Sequence, residues 1–396
     1  MSVWSSLVGQ DAAVAKLSEA AASARAIVAS RGSGRATDEA RSMSHAWLIT
    51  GPPGSGRSVA ARAFAAALQC TGATPGCGQC PGCRTTMGRT NADVLFAATE
   101  TSIINVETAR SLVLQAQSSP SQGLWRVIVV EDADRLGESG ANALLKAIEE
   151  PPEHTVWLLC APSPEDMIAT IRSRCRHLGL RIPTAAAVAD LLVREGVATP
   201  DVALDAARAA QSHIGLARAL ARDPQMRERR RAIITAPASV RSVGEAVMAA
   251  DRLLETAKAQ ADAQVSERNA REKAELLRQL GMEEGESATK ASRTMIRQLE
   301  EDQKRRSKRA LTDAIDRALI DLLAIYRDIL MVQVGGDGEL INTDLSELVH
   351  QIAHDSTPHQ TLARVDHIET ARKRLVANGN PLLVLEDMAI SLRPQA

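Results

Sequence analysis

Aromatic residues are scarce in this sequence: two Phe, one Tyr and four Trp make up 2% of its 396 positions. Proteins that grip single-stranded nucleic acid stack its bases on such rings, so that mode of binding has few candidates here. Net charge is missing too. The 47 basic and 48 acidic residues leave a formal charge of −1, so no global field draws the chain to nucleic acid or to a membrane surface. Any contact with DNA must be local or shared with partners. No uninterrupted apolar run reaches the roughly eighteen residues of a spanning helix, which excludes that membrane role. The opening stretch MSVWSSLVGQD has no basic segment followed by an apolar core. It does not read as a signal peptide, and a cytoplasmic location is expected.

What is present is a 45% hydrophobic composition in which Ala, Leu and Val do most of the burying, as in a mainly helical protein. The length calls for two or three domains. Residues 1 to 30 pattern as a helix after a short entry segment, and the polar stretch RGSGRATDEARSMS at 31 to 44 reads as a loop. From His45 to about Arg181 strands alternate with helices. HAWLIT, LWRVIVV and TVWLLCA are short continuous apolar runs, while SVAARAFAAALQ and ANALLKAIEE are helices. That alternation indicates a parallel sheet covered on both faces.

After Ile182-Pro183 the strand signal stops. A small helical domain is expected over 183 to 238 and a second helical domain over 239 to 396. Within the latter, residues 258 to 309 are rich in Glu, Lys, Arg and Gln and contain GMEEGES. They read either as long exposed helices joined by a turn or as a partly disordered insertion. The run Lys304, Arg305, Arg306, Lys308, Arg309 is interrupted and flanked by acids and is taken as a solvated helix face rather than a nucleic-acid site. Leu311, Ile315, Leu319, Leu322, Tyr326 and Ile329 recur at helical spacing as a packing stripe.

Residues 51 to 58, GPPGSGRS, follow the HAWLIT strand and precede a helix. That order is what a phosphate-binding loop requires. Backbone N–H groups of Gly54, Ser55 and Gly56 can converge on an anion at the helix start. Gly51 opens the loop, and Ser58 is placed to hold Mg²⁺. The pattern calls for lysine where Arg57 stands. A guanidinium is a planar fork rather than a compact ammonium, so nucleotide binding survives this change more easily than in-line attack by water. In VIVVEDAD, residues 127 to 134, a hydrophobic strand ends in Glu131 and Asp132. Carboxylates there serve as the Mg²⁺ ligand and the activator of water, usually in the order Asp then Glu. Here the order is reversed.

Cys70, Cys77, Cys80 and Cys83 form C-x6-C-x2-C-x2-C within CTGATPGCGQCPGC. Four thiolates fill a tetrahedral zinc shell and leave no place for water, so a structural Zn²⁺ is expected. Cys160 and Cys175 lie too far along the chain to be assumed ligands and are read as packing residues. Two arginines complete the set: Arg174 in TIRSRCR and Arg218 in HIGLARAL. Alone, either would be a surface arginine.

Together VWSSLVGQDAAV, HAWLITGPPGSGRS, the four cysteines, VVEDADRL, ANALLKAIEEPP and TIRSRC resemble the clamp-loader subunits of bacterial DNA polymerase III, which belong to the AAA+ family. The likeness is nearest to the δ′ (delta prime) subunits, with the zinc-bearing τ/γ motor subunits as near relatives. It is sharpest over residues 1 to 182. SHIGLARAL resembles the family's helical lid, and the C-terminal half agrees only in helicity and in the ending NPLLVLEDMAISL.

The resemblance implies an α/β P-loop (AAA+) domain over 1–182 with a zinc module at 70–83. A small helical lid would cover 183–238 and an all-α collar 239–396. It implies a pentameric ring with τ/γ and δ partners that loads a sliding clamp onto primer–template DNA at the cost of ATP. In that ring Arg174, flanked by Ser173 and Cys175, would act in trans as an arginine finger on the neighbour's nucleotide, and Arg218 would sense nucleotide in cis. Motor subunits carry Lys in the loop, Asp-Glu at the strand end and Thr or Asn after the third strand. This chain has Arg57, Glu131-Asp132 and Ala161-Pro162. The expected function is therefore that of a stator with little or no ATPase of its own, holding ATP or ADP weakly or for structure and Mg²⁺ only with it. The alternative is an active AAA+ ATPase motor. A third reading makes the cysteine cluster a zinc-dependent nucleic-acid binder.

Overall fold

The computed structural model describes residues 2–30, 42–97, 104–280 and 290–393. The polar loop expected at 31 to 44 falls largely outside them, as does GMEEGES. The described chain forms two compact units, residues 1–218 and 219–396.

In chain order the first unit contains α1 (Asp11–Ser30), β1 (Ala46–Thr50), α2 (Arg57–Leu68), α3 (Pro81–Met87), β2 (Val94–Ala97), α4 (Val106–Ala116), β3 (Arg126–Val130), α5 (Glu138–Glu149), β4 (Thr155–Ala161), α6 (Ala169–Arg172) and β5 (Arg176–Gly179). It continues with α7 (Ala185–Arg194), α8 (Pro200–Ala209) and the start of α9 (Ile214–Arg222). The five strands are all parallel, in the order β2-β3-β4-β1-β5. The apolar runs read from the sequence are the three inner strands. Each is buried on both faces, which is why none alternates. Trp47, Ile49, Val127 and Val129 pack with α1 and α2, where Trp47 meets Phe64 edge-on at 5.2 Å. Leu48, Ile128 and Val130 face α4, α5 and α6.

Two buried polar side chains fasten the loops around this sheet. The Asp93 carboxylate, just before β2, accepts the backbone N–H groups of Ser121, Gln122 and Gly123 at 2.6–2.8 Å and the Ser121 hydroxyl at 2.9 Å. Burial alone would raise its pKa. The three N–H donors outweigh that and hold it below the ordinary carboxylate range. Gln69, just past α2, accepts from the Leu124 N–H at 3.0 Å and donates to the Trp125 carbonyl.

The second unit consists of the end of α9 with α10 (Pro224–Ser239), α11 (Val243–Gln279), α12 (Lys290–Gln333), α13 (Ser346–Asp355), α14 (Pro358–Val376) and α15 (Pro381–Ser391). The stripe on α12 is its core: Ile315, Leu319, Leu322, Tyr326 and Ile329 are buried against Ile368, Leu375 and Leu385. Over its described residues the charged insertion takes the first of the two forms open to it, two long helices. Ala261, Val265 and Ala310 form a small buried apolar cluster between them. Beyond that point polar links join them, among them Arg306 to Glu272 at 2.8 Å and to Asn269 at 2.7 Å. The basic run is engaged within the unit, with Arg305 on Asp302 and Lys308 on Asn378.

Candidate functional site

The glycine-rich loop leaves the C-terminal end of β1, between the neighbouring ends of β4 and β5, where open α/β sheets take their ligands. Backbone bonds pin it there: the Gly51 N–H donates to the Pro162 carbonyl at 3.1 Å, and the Leu180 N–H to the Thr50 carbonyl at 2.7 Å. Gly54 and Gly56 adopt φ of +88° and +89°, a region that a side chain disfavours. Gly54 is doubly constrained, since a Cβ there would lie 3.0 Å from the Cα of His213. Gly56 precedes the first turn of α2 and no side chain caps it, so the helix N–H groups stay directed at the loop. The buried Gln10 amide donates to the Ser55 carbonyl at 3.2 Å and joins the loop to Arg181.

The side chains of this site behave differently from its backbone. Arg57 turns back and donates from one Nη to the carbonyl of Gly51, the first residue of its own loop. Glu131 leaves the end of β3 on the α2 face and pairs with Arg89 at 2.6 Å. Arg89 follows α3 with φ +58° and lies over the Phe96 ring at 5.0 Å. Asp132 starts a short turn over Ala133–Arg135. Asp134, one turn position further, was not singled out from the sequence. Burial, and after it the Asp132 carboxylate, raises its pKa, while Arg135 and Arg57 oppose the rise. Ser58 occupies the second position of α2, and Ala161-Pro162 close β4.

The cysteines converge. Sγ atoms of Cys70, Cys77, Cys80 and Cys83 all lie within 4.8 Å of one another, a donor set able to hold a metal ion. Cys70 follows the C-terminus of α2. Cys80 caps α3, its sulfur accepting the Cys83 N–H at 3.4 Å, and the Cys77 sulfur accepts the Cys80 N–H at 3.4 Å. Burial opposes ionisation of Cys80, but N–H donation from Cys83 and bonding to Thr71 bring its pKa down to about 5. The hairpin is anchored on both sides. Trp4 Nε1 donates to the Pro75 carbonyl at 3.4 Å, and Arg25 donates to the carbonyls of Ala73 and Cys70 at 2.8 Å. Cys160 and Cys175 stand apart from the cluster, and burial pushes each thiol up to about 12.

Arg174 lies just after α6, with its side chain 38% exposed and Nε paired to Glu149 at the end of α5. One Nη also donates to the Thr170 carbonyl at 2.8 Å. Arg218 makes a two-pronged pair with Glu195, both contacts at 2.9 Å. Against the loop lies His213, between α8 and α9, whose ring Nδ1 accepts the Leu216 N–H at 3.1 Å. Sequence reasoning missed His213, Arg89, Glu149 and Glu195. Only Gln10 had a local signal, in its VGQD setting.

A five-stranded parallel sheet in this order, with a glycine-rich loop after β1 and acids at the end of β3, is the frame of an α/β domain of the P-loop type. Residues 35–184 match the family described as "DNA polymerase III, delta subunit", and over this region the chain is similar to clamp-loader subunits. It is 35% identical to the DNA polymerase III subunit delta′ of Pseudomonas aeruginosa over 161 residues, 40% of this chain and 48% of that one. It is also 35% identical to the gamma/tau subunit of Mycobacterium tuberculosis over 173 residues, 41% of this chain and 29% of that one. The chain thus spans less than half the length of the curated relatives it matches. Among solved structures, a gamma subunit-related protein from Thermotoga maritima aligns with a TM-score of 0.44 at 16% identity, covering 88% of this chain and 93% of that one.

Proposed function

We propose that this chain is a δ′-type stator of the bacterial DNA polymerase III clamp loader. It works in a ring with τ/γ and δ subunits that places a sliding clamp on primer–template DNA. One contrast carries the reading: Arg57 and Glu131 are part-buried and engaged inside their own site, while Arg174, though paired with Glu149, is exposed on the surface. The 35% identity to a delta′ and to a gamma/tau subunit supports the family frame.

At the home site the N–H groups of Gly54, Ser55 and Gly56 receive phosphates of ATP or ADP, and Ser58 and Asp132 would hold Mg²⁺ with them. Water is poorly activated, because Glu131 is neutralised by Arg89 and the Arg57 fork is turned onto Gly51. At the neighbour's site Arg174 exchanges Glu149 for a γ-phosphate and stabilises the charge that develops there. Glu149 and the Thr170 carbonyl hold the guanidinium in one place beforehand, which limits the freedom lost on docking. Arg218, paired with Glu195, is the cis sensor of the lid and needs that pair to open before it can touch nucleotide. Cys70, Cys77, Cys80 and Cys83 hold a structural Zn²⁺. Four thiolates leave no open position, so zinc stabilises and does not catalyse.

The test is clamp- and DNA-stimulated ATPase of the assembly rebuilt with Arg174→Ala. Turnover at the neighbouring site should fall about 10³-fold; wild-type turnover would end the stator reading. A motor ATPase remains the second reading, favoured by the retained left-handed glycines of the loop. The isolated chain decides it: a motor turns over ATP near or above about 1 s⁻¹, and a stator falls far below.

A further inference from the structure

The second unit contains a cavity of about 520 Å³ bounded by α10, α12, α13 and α14. About half of its lining is aliphatic, with Ile234, Ile325, Ile329 and Leu348 among those residues. Thr235, Ser239, Gln351 and Ser356 add polar groups to the lining, and two further polar side chains are buried in it. Arg364, on α14, is 8% exposed, and Tyr326, on α12, is 5% exposed; both line the cavity. Among the described residues neither side chain has a hydrogen-bond or ion-pair partner. The part-buried Arg230 of the same unit, by contrast, reaches Asp321 at 2.9 Å and Asn342 at 2.7 Å. The guanidinium of Arg364 is close enough to the Tyr326 phenol to favour its ionised form, although burial dominates and raises that group to about 12.

A guanidinium in a residue only 8% exposed, with no counter-charge, keeps little of its hydration, and a phenol with no acceptor is in the same position. An anion entering the cavity would relieve both. The fork of an arginine matches the two oxygens of a carboxylate, and the phenol O–H supplies a further donor. The aliphatic half of the lining suits an apolar body behind the charge. Two charged groups sit at the margin, Asp355 and Arg241. Asp355 is largely solvated and disfavours a second negative charge, and Arg241 is already bonded to the Ala238 carbonyl at 2.7 Å. The balance selects a monoanion.

We propose that this cavity is a binding site for a small monocarboxylate with an apolar body, held through Arg364 and Tyr326. The site is separate from the nucleotide loop and does not depend on the clamp-loader reading. The full chain is titrated calorimetrically with sodium hexanoate, with hexanol and with inorganic phosphate at constant ionic strength. Hexanoate should bind once per chain and more tightly than either control. Arg364→Met should weaken it about tenfold or more, and Tyr326→Phe about fivefold. If Arg364→Met does not fold, Arg364→Lys carries the test, since it keeps the charge but loses the fork and should weaken hexanoate severalfold. Hexanoate binding unchanged in these variants, hexanol binding as tight, or phosphate bound in preference would each overturn the proposal.

Discussion

Helix α2 carries a different kind of site at each end. At its N-terminus lies the glycine-rich loop, and just past its C-terminus Cys70 joins three other sulfurs. The cysteine end is complete in its side chains: four donors converge, and N–H groups from the chain brace two of the sulfurs. The loop end is complete only in its backbone. Gly54 and Gly56 hold their left-handed conformations, yet Arg57 and Glu131 are committed to Gly51 and Arg89. Shape and chemistry are therefore separable in a P-loop. The cradle depends on a few glycines and on bonds to β4 and β5, whereas hydrolysis depends on side chains that can be redirected one at a time.

The largest effect separating the two ends is expected at the cysteines. Cys80→Ser should release about one zinc per chain and cost the first unit about 4 kcal/mol, leaving the helices of residues 219–396 folded. Metal analysis and a two-transition melt check this, and undiminished zinc would break the contrast. Asp93→Asn comes next, at about 2–3 kcal/mol, since a buried acceptor of three backbone N–H groups loses its charge. Because the folded pKa of Asp93 is depressed, its contribution is fully present above the ordinary carboxylate value and is lost as pH falls through the folded value. Urea titrations at descending pH should therefore show the gap between variant and wild type narrowing only once the pH falls below the ordinary carboxylate range.

Arg89→Ala should cost only about 1 kcal/mol, because the pair with Glu131 is partly solvated on the arginine side. It should leave ATP turnover of the isolated chain near background, since Arg57 still misdirects the loop; turnover rising to motor levels would show that the Glu131–Arg89 pair alone silences the site. Arg218→Ala should change stability least, by about 0.5 kcal/mol, its pair with Glu195 being one-third exposed on both sides. A nucleotide-affinity measurement on that variant tests the lid role separately.

How much of this was legible depended on the range of the forces involved. HAWLIT, LWRVIVV and TVWLLCA declared themselves as strands because burial on both faces writes a continuous apolar run. VLFA and RHLG did not. They are short edge strands, and RHLG contributes only Leu178 to the core; its strand state comes from pairing with Trp47–Thr50 some 129 positions earlier, as in Trp47 opposite Arg176. The loop, the cysteine spacing and Arg174 were visible because each is a local pattern. Their restraints were not, since Glu131 finds Arg89 across 42 positions and Arg174 finds Glu149 across 25. The charged insertion left two forms open because high helix propensity without an apolar stripe suits an exposed helix and a disordered segment alike.

The pairing of Arg89 with Glu131 has an evolutionary consequence. Arg89 hangs two residues beyond the helix that Cys80 caps and Cys83 belongs to, so the cysteine hairpin carries its own latch onto the end of β3. A lineage that discards this segment would leave Glu131 facing the part-buried Arg62, whose charge already feels both partners. Positions 89 and 131 should drift together across related chains because they pair at 2.6 Å, and Asp at 131, one methylene shorter, should be tolerated only where the latch has changed as well.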